Sequence, residues 1–331
     1  MTARSDDLFR QRTIRRPVSI SGLGIHTGSR TQMTLRPARI GSGIRFRRVD
    51  CGGVEIPAHM SQISSLDLAT TLGRDDVTVS TVEHLMAAAQ AFAIDNLIVD
   101  LDGPEVPILD GSALPFLHLF QAVGMQVQDA WRRIVVVTRP VGIRHRNKSI
   151  SISPHPGLRL SYGIDFPSAA IGRQQIDLQV DRQTFERELA PARTFAQWSD
   201  VQQMRGRGLA LGGTSENCIV FDDSGPINTR LRFDDEPVRH KALDAIGDLA
   251  LFGFPIWGHV EVHLGGHQLH FLLLDELRKR PESWTWVSSE RATFEDDALE
   301  TPAAAGSATA YRLTRPEART SRHSTSDEPV V

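Results

Sequence analysis

The residues with the clearest chemical promise are His240 and Asp244, in the run Val238-Arg239-His240-Lys241-Ala242-Leu243-Asp244-Ala245-Ile246-Gly247-Asp248-Leu249. Side chains four apart share one helix face. The run therefore lines up an imidazole, a carboxylate and, one turn further, a second carboxylate at Asp248. Neutral imidazole nitrogen and carboxylate oxygen are ligands that suit zinc. Ala242, Leu243, Ala245, Ile246 and Leu249 fall on the other faces and can pack the helix down. A polar stripe on a buried helix costs free energy unless its groups are satisfied, and a metal ion would satisfy this one.

A third ligand is available at Val82-Glu83-His84-Leu85, which opens an Ala-rich run. A lone histidine there is most often structural. Joined to His240 and Asp244, His84 completes the three protein ligands of a catalytic zinc site, which keeps one position for water. Glu83, adjacent to a ligand, is then a candidate general base, a role compatible with stabilising the helix N-terminus. His267 follows Gly265-Gly266 and reads as a loop residue that donates a proton or stabilises charge. Asp248 is placed to accept its ring N–H and favour the imidazolium. His259, His263 and His270 read as structural or surface residues.

These residues need elements to position them. Short strands are expected at 18–20, 31–35 and 43–48, a helix over 85–93 with its start signalled at Ser80-Thr81, a strand at 97–101 and a helix at 113–123. A second series begins with strands at 133–138, 149–152 and 158–164 and ends with a helix at 237–252, a strand at 258–264 and a helix at 269–278. Each half thus holds a histidine-bearing helix followed by a strand. The expected fold is α+β, with two similar domains, each a sheet packed on helices. The divisions are 1–129, 130–291, and a tail over 292–331. That tail is rich in Ala, Ser, Thr, Arg and Pro and too poor in large apolar groups to offset chain entropy, so it reads as disordered.

Composition narrows the function classes. The chain has 331 residues, 40% hydrophobic and 23% charged, with a formal net charge of -3, which offers nucleic acid no overall basic bias. Arg10, Arg12, Arg15 and Arg16 form a local basic cluster, read as solvated surface, with an anionic ligand or lipid surface as the alternative. Cys51 and Cys218 alone cannot build a disulfide framework and suit a reducing compartment. No stretch approaches a membrane span and no secretory signal opens the chain, so a cytoplasmic protein is expected. Gly22-Leu23-Gly24-Ile25-His26-Thr27-Gly28 is not a dinucleotide fingerprint, because the strand pattern of Thr31 to Leu35 follows where a helix is required. Neither a GxSxG elbow nor a Walker A run occurs.

Several of these segments together resemble the UDP-3-O-acyl-N-acetylglucosamine deacetylases: Ser80-Thr81-Val82-Glu83-His84-Leu85, Asp110-Gly111-Ser112-Ala113, Ala192-Arg193-Thr194-Phe195, the His240 to Leu249 helix, Gly24-Ile25-His26-Thr27-Gly28 and Gly265-Gly266-His267. The resemblance runs in order from about residue 11 to 290. It implies a zinc-dependent amidohydrolase of two similar α+β domains, with the active site at their interface, that removes the acetyl group from UDP-3-O-(3-hydroxyacyl)-N-acetylglucosamine in the committed step of lipid A biosynthesis. It implies His84, His240 and Asp244 as metal ligands, Glu83 as base, and His267, held by Asp248, as acid. It further implies Thr194 as a donor to the acetyl carbonyl, Lys241 and Phe195 beside the substrate, and Asp165-Phe166 at the uridine. The segment from Arg207 through Leu211, Gly212 and Val220 resembles an acyl passage, although Thr214-Ser215-Glu216-Asn217-Cys218 is more polar than the resemblance leads one to expect.

The chemistry agrees, since an amide is a poor electrophile and zinc supplies both a low-pKa water and carbonyl polarisation. Iron(II) would satisfy the same ligands. Whether Glu83 alone shuttles both protons, or Glu83 acts with His267, stays open at this level. The expected partner is the small-molecule substrate, acting on a monomer. The alternatives are another zinc amidohydrolase or peptidase, which would lack the HExxH spacing, and a non-catalytic nucleotide-sugar or lipid-binding protein, which would need a fourth ligand to close a structural zinc.

Overall fold

The structure is a computed structural model and describes residues 9–287 apart from Asn228. The tail expected over 292–331 lies outside the described residues. Six α-helices occur among those described: α1 (Glu83–Ala91), α2 (Leu114–Val123), the single turn α3 (Arg182–Thr184), α4 (Trp198–Gly206), α5 (Glu236–Ala250) and α6 (His267–Lys279). With several separate sheets they make the chain mixed α+β, as the sequence indicates.

Alternation builds the first sheet. In Arg30–Pro37, Thr31, Met33 and Leu35 are buried while Arg30, Gln32 and Arg36 face outward, the period of two that a strand with one core face demands. Five strands lie in the order Val18–Leu23, Arg30–Pro37, Leu97–Leu101, Ile44–Arg48, Val54–Pro57. The central Leu97–Leu101 is antiparallel to Arg30–Pro37 and parallel to Ile44–Arg48. A parallel pair requires a crossover, and α1 lies within that crossover. Every residue from Glu83 to Ala89 is buried; the small alanines fit a helix that is covered on all sides.

The second half repeats the logic. Ile256–His263 pairs in parallel with Ile134–Val137 and Leu158–Asp165 and antiparallel with Lys148–Ser153. The helix that leads into it is α5, so each histidine-bearing helix precedes a central strand. The apolar residues expected to pack α5 down from its other faces, Ala242, Leu243, Ala245, Ile246 and Leu249, are all buried.

Helices α1 and α5 pack directly on each other. Gly247 permits it: a Cβ there would collide with the carbonyl oxygen of Glu83. Glycine in a helix interior is destabilising by about 0.5–1 kcal/mol relative to alanine, and here it lets the two backbones meet.

Some details differ from expectation. Ser80-Thr81 does not cap α1; the helix starts at Glu83 without a side-chain cap, and Thr81 adopts a left-handed φ of 58°. His267 is the first residue of α6, not a loop residue, because the helix starts two residues earlier than the apolar pattern suggests. A strand at Met125–Trp131, too polar to read as one, pairs with Arg10–Ile14. The basic cluster is spent there: Arg10 pairs with Asp129 at 2.8 Å and covers the Trp131 ring, while Arg15 and Arg16 donate to the carbonyls of Met125 and Ala122.

Candidate metal centre and active site

The α1–α5 contact brings His84, His240 and Asp244 together. Asp244 Oδ1 lies 3.5 Å from His84 Nε2 and 3.4 Å from His240 Nε2, and the two rings stand edge to face with centroids 4.8 Å apart. All three residues are buried. Asp244 Oδ1 has no hydrogen-bond partner, an expensive condition for a buried carboxylate oxygen. The imidazole of His240 approaches the main-chain carbonyl of Ala192 through Nδ1 at 3.0 Å. A carbonyl only accepts, so Nδ1 carries the hydrogen and Nε2 presents a lone pair. Burial pushes this imidazole down to about 3, so it stays neutral.

Asp244 itself is held well below the usual carboxylate range. Burial opposes its charge, and the neighbouring cationic and hydrogen-bonding groups, the Lys241 ammonium among them, outweigh burial. Lys241 Nζ donates to Asp244 Oδ2 at 2.9 Å, leaving Oδ1 as the free oxygen. Zinc bonds of ~2.0–2.2 Å at a tetrahedral angle put ligand atoms ~3.4 Å apart. The donor set, the orphaned oxygen and the spacing all fit a divalent cation.

A second group adjoins the first. Asp248 Oδ2 accepts from Nδ1 of His267 at 2.7 Å and Nδ1 of His270 at 2.8 Å, and Asp248 Oδ1 accepts from the Thr70 hydroxyl at 2.6 Å. Three donors hold Asp248 deprotonated against a large cost of burial, and its pKa is lowered. For His267, burial works against the charged ring, but the charge and hydrogen bond of Asp248, helped by Glu83, raise it to about 9. Glu83 is raised as well, but here burial itself is the cause, disfavouring the charged carboxylate and lifting it to about 7. Its Oε2 accepts from the Thr70 main-chain N–H at 3.2 Å. His270, read as structural or surface, is wholly buried, and its Nε2 stands 3.2 Å from the Tyr162 hydroxyl.

Both groups touch a cavity of about 710 Å³ whose lining includes Glu83, His84, His240, Lys241, Asp244 and His267. Thr194, Phe195, Phe166 and Val220 line it too, with the Phe166 and Phe195 rings edge to face at 5.5 Å. Asp165, Leu211 and Gly212 are not among the lining residues. Asp165 is exposed at the end of its strand, Leu211 is 55% exposed, and Gly212 backs onto the Gly24 carbonyl.

The loops around the cavity are tied down by buried charges that the sequence did not single out. Glu236, fully buried, accepts from the Arg193 main chain and guanidinium, fixing the segment that carries Ala192 and Thr194 to the start of α5. Glu105, also fully buried, accepts from His26 N, Thr27 N and Oγ1, and Thr81 Oγ1 at 2.7–3.0 Å. Thr81 sits two residues before Glu83, and a left-handed β-branched residue costs about 1–3 kcal/mol unless its surroundings impose it. Gly111 has φ 85°, and a Cβ there would strike the Asn217 carbonyl; its own carbonyl accepts from Thr194 N at 2.8 Å.

An α+β chain with a His–His–Asp group beside a buried glutamate and an Asp-held histidine has the parts of a metal-assisted hydrolase. The family model of UDP-3-O-acyl N-acetylglycosamine deacetylase matches residues 11–279. The chain belongs to that family. It is 45% identical to the UDP-3-O-acyl-N-acetylglucosamine deacetylase of Myxococcus xanthus over 87% of its length and 92% of the relative's. It is 44% identical to that of Citrifermentans bemidjiense over 86% of its length and 94% of the relative's. For Syntrophotalea carbinolica the figures are 41%, 85% and 92%.

Proposed function

We propose that the protein hydrolyses the N-acetyl group of UDP-3-O-(3-hydroxyacyl)-N-acetylglucosamine, giving acetate and the free amine for lipid A biosynthesis. Family membership supports the substrate, and the observation that carries the chemistry is the unpartnered Asp244 Oδ1 between two imidazole Nε2 atoms inside the cavity. His84, His240 and Asp244 would hold zinc, or iron(II) in its place. The chemistry such an ion supplies when bound is Lewis-acid polarisation of the acetyl carbonyl and a water of lowered pKa.

The remaining work falls to side chains. Glu83, ionised above about pH 7, takes the proton from the attacking water as its oxygen bonds to the acetyl carbon. His267, protonated below about pH 9, gives its proton to the sugar nitrogen as the C–N bond breaks. Opposite protonation of these two groups across the same range favours a two-residue proton path over Glu83 alone. Thr194 donates to the carbonyl oxygen as negative charge develops, and Lys241 supplies positive charge to the anionic nucleotide sugar. Phe195 and Phe166, which line the cavity, contact the sugar and uridine, and the wall that includes Val220 takes the acyl chain; Asp165, Leu211 and Gly212 lie outside that lining and are given no direct contact.

The reading includes a monomeric, cytoplasmic enzyme, divided near residue 129 into two domains with the site between them. The two helix–strand units and the ligands from both α1 and α5 support that division. Among the described residues no helix is long and apolar enough to cross a membrane. The test is acetate release from the acylated UDP-sugar before chelation, after it, and after zinc is returned. Loss and recovery of turnover are expected; full turnover in verified metal-free protein would contradict the reading.

A further inference from the structure

Thr70 belongs to none of the motifs, carries no titratable group and does not line the cavity, yet it touches both halves of the proton path. It is fully buried. Its main-chain N–H donates to Glu83 Oε2 at 3.2 Å, and its carbonyl accepts from Val82 N at 3.3 Å, directly before α1. Its hydroxyl donates to Asp248 Oδ1 at 2.6 Å and stands 3.2 Å from His267 Nδ1.

The direction of each bond follows from the donors available. An ionised carboxylate only accepts, so the Thr70 hydrogen points to Asp248 and a hydroxyl lone pair remains toward the His267 Nδ1–H. The ring hydrogen on Nδ1 is shared by Asp248 Oδ2 and Thr70 Oγ1. That fixes the plane of the imidazole and leaves Nε2 as the atom free for substrate. Without the hydroxyl, Asp248 loses the donor on Oδ1 and can turn about its side chain, taking His267 with it.

We propose that Thr70 is a positioning residue that sets Glu83 and His267 relative to one another, by its main chain on one side and its hydroxyl on the other. A merely structural threonine would need its hydroxyl satisfied, but would have no reason to spend it on the carboxylate that holds the acid. The proposal rests on the deacetylase reading for its kinetic consequence, and on geometry alone for its effect on the His267 ring.

The test compares Thr70→Val, which keeps the shape and the main-chain N–H but removes the hydroxyl, with Thr70→Ser, which returns it. Letting the acid drift out of position should lower kcat by ~10–100-fold, with KM and bound metal unchanged and most of kcat restored in Thr70→Ser. In protein labelled with nitrogen-15 at histidine, the low-field Nδ1–H signal of His267 should shift or vanish in Thr70→Val and persist in Thr70→Ser. Wild-type kcat in Thr70→Val, or a serine variant no better than the valine one, overturns the proposal. If Thr70→Val does not fold, Thr70→Ala makes the same comparison. If the wild type turns out not to be a deacetylase, the ring signal still decides: an unchanged signal in the variant lacking the hydroxyl sinks the role of Thr70.

Discussion

Two clusters in this molecule share one composition, two histidines and an aspartate, yet their bonding is opposite. His84, His240 and Asp244 form one; Asp248, His267 and His270 form the other, and each has its ligand atoms within 4.8 Å of one another. In the second, Asp248 accepts three hydrogen bonds and both histidines turn an N–H toward it. Its groups satisfy each other, and nothing is left for a cation. In the first, Asp244 Oδ1 is bare, and His240 has its hydrogen occupied elsewhere so that its lone pair faces that oxygen. Residue content marks both clusters as metal sites, and only the hydrogen-bond pattern tells them apart. One cluster is built to hold an ion, the other to hold a proton.

The sharpest break of this contrast is His240→Ala. It should remove bound metal and abolish turnover, a loss beyond the ~10²–10⁴-fold that general-base catalysis contributes; elemental analysis and acetate release check both. Next is Glu83→Gln, where turnover should fall by ~10²–10⁴-fold while metal is retained. The pH profile comes third. Burial raises Glu83 to about 7 and it acts ionised, so turnover should rise as pH passes that value. His267, raised to about 9 against the cost of burial by Asp248 and Glu83, acts protonated, so turnover should fall above it. His267→Ala should be slower and lose the falling limb; an unchanged limb would remove His267 from the acid role. The smallest effect on turnover belongs to His270→Gln, which leaves His267 on Asp248 but removes a buried donor. It should cost about 1–3 kcal/mol of stability, read by denaturant unfolding, with metal and most of the activity kept.

How far the sequence spoke to each cluster follows from the kind of order involved. His240, Asp244 and Asp248 lie on one helix at a spacing of four, and local periodicity survives in a sequence. His84 was legible as a third ligand only because the resemblance and the missing ligand pointed to it. His267 and His270 are three apart and share a face of α6, a signal that the apolar pattern masks because it begins only at Leu269. Thr70, Glu105 and Glu236 left no trace. Each is an ordinary polar residue whose partners come from distant parts of the chain, and only the folded structure brings them together. The same holds for the strand at Met125–Trp131, whose polar sequence is explained by its pairing with Arg10–Ile14.

The most direct test of the two-cluster account is the metal content of three purified proteins: wild type, His240→Ala and His270→Gln. One equivalent of divalent metal in the wild type and in His270→Gln, with none in His240→Ala, is the expected result. Metal retained in His240→Ala and lost in His270→Gln would put the ion in the wrong cluster and contradict the account.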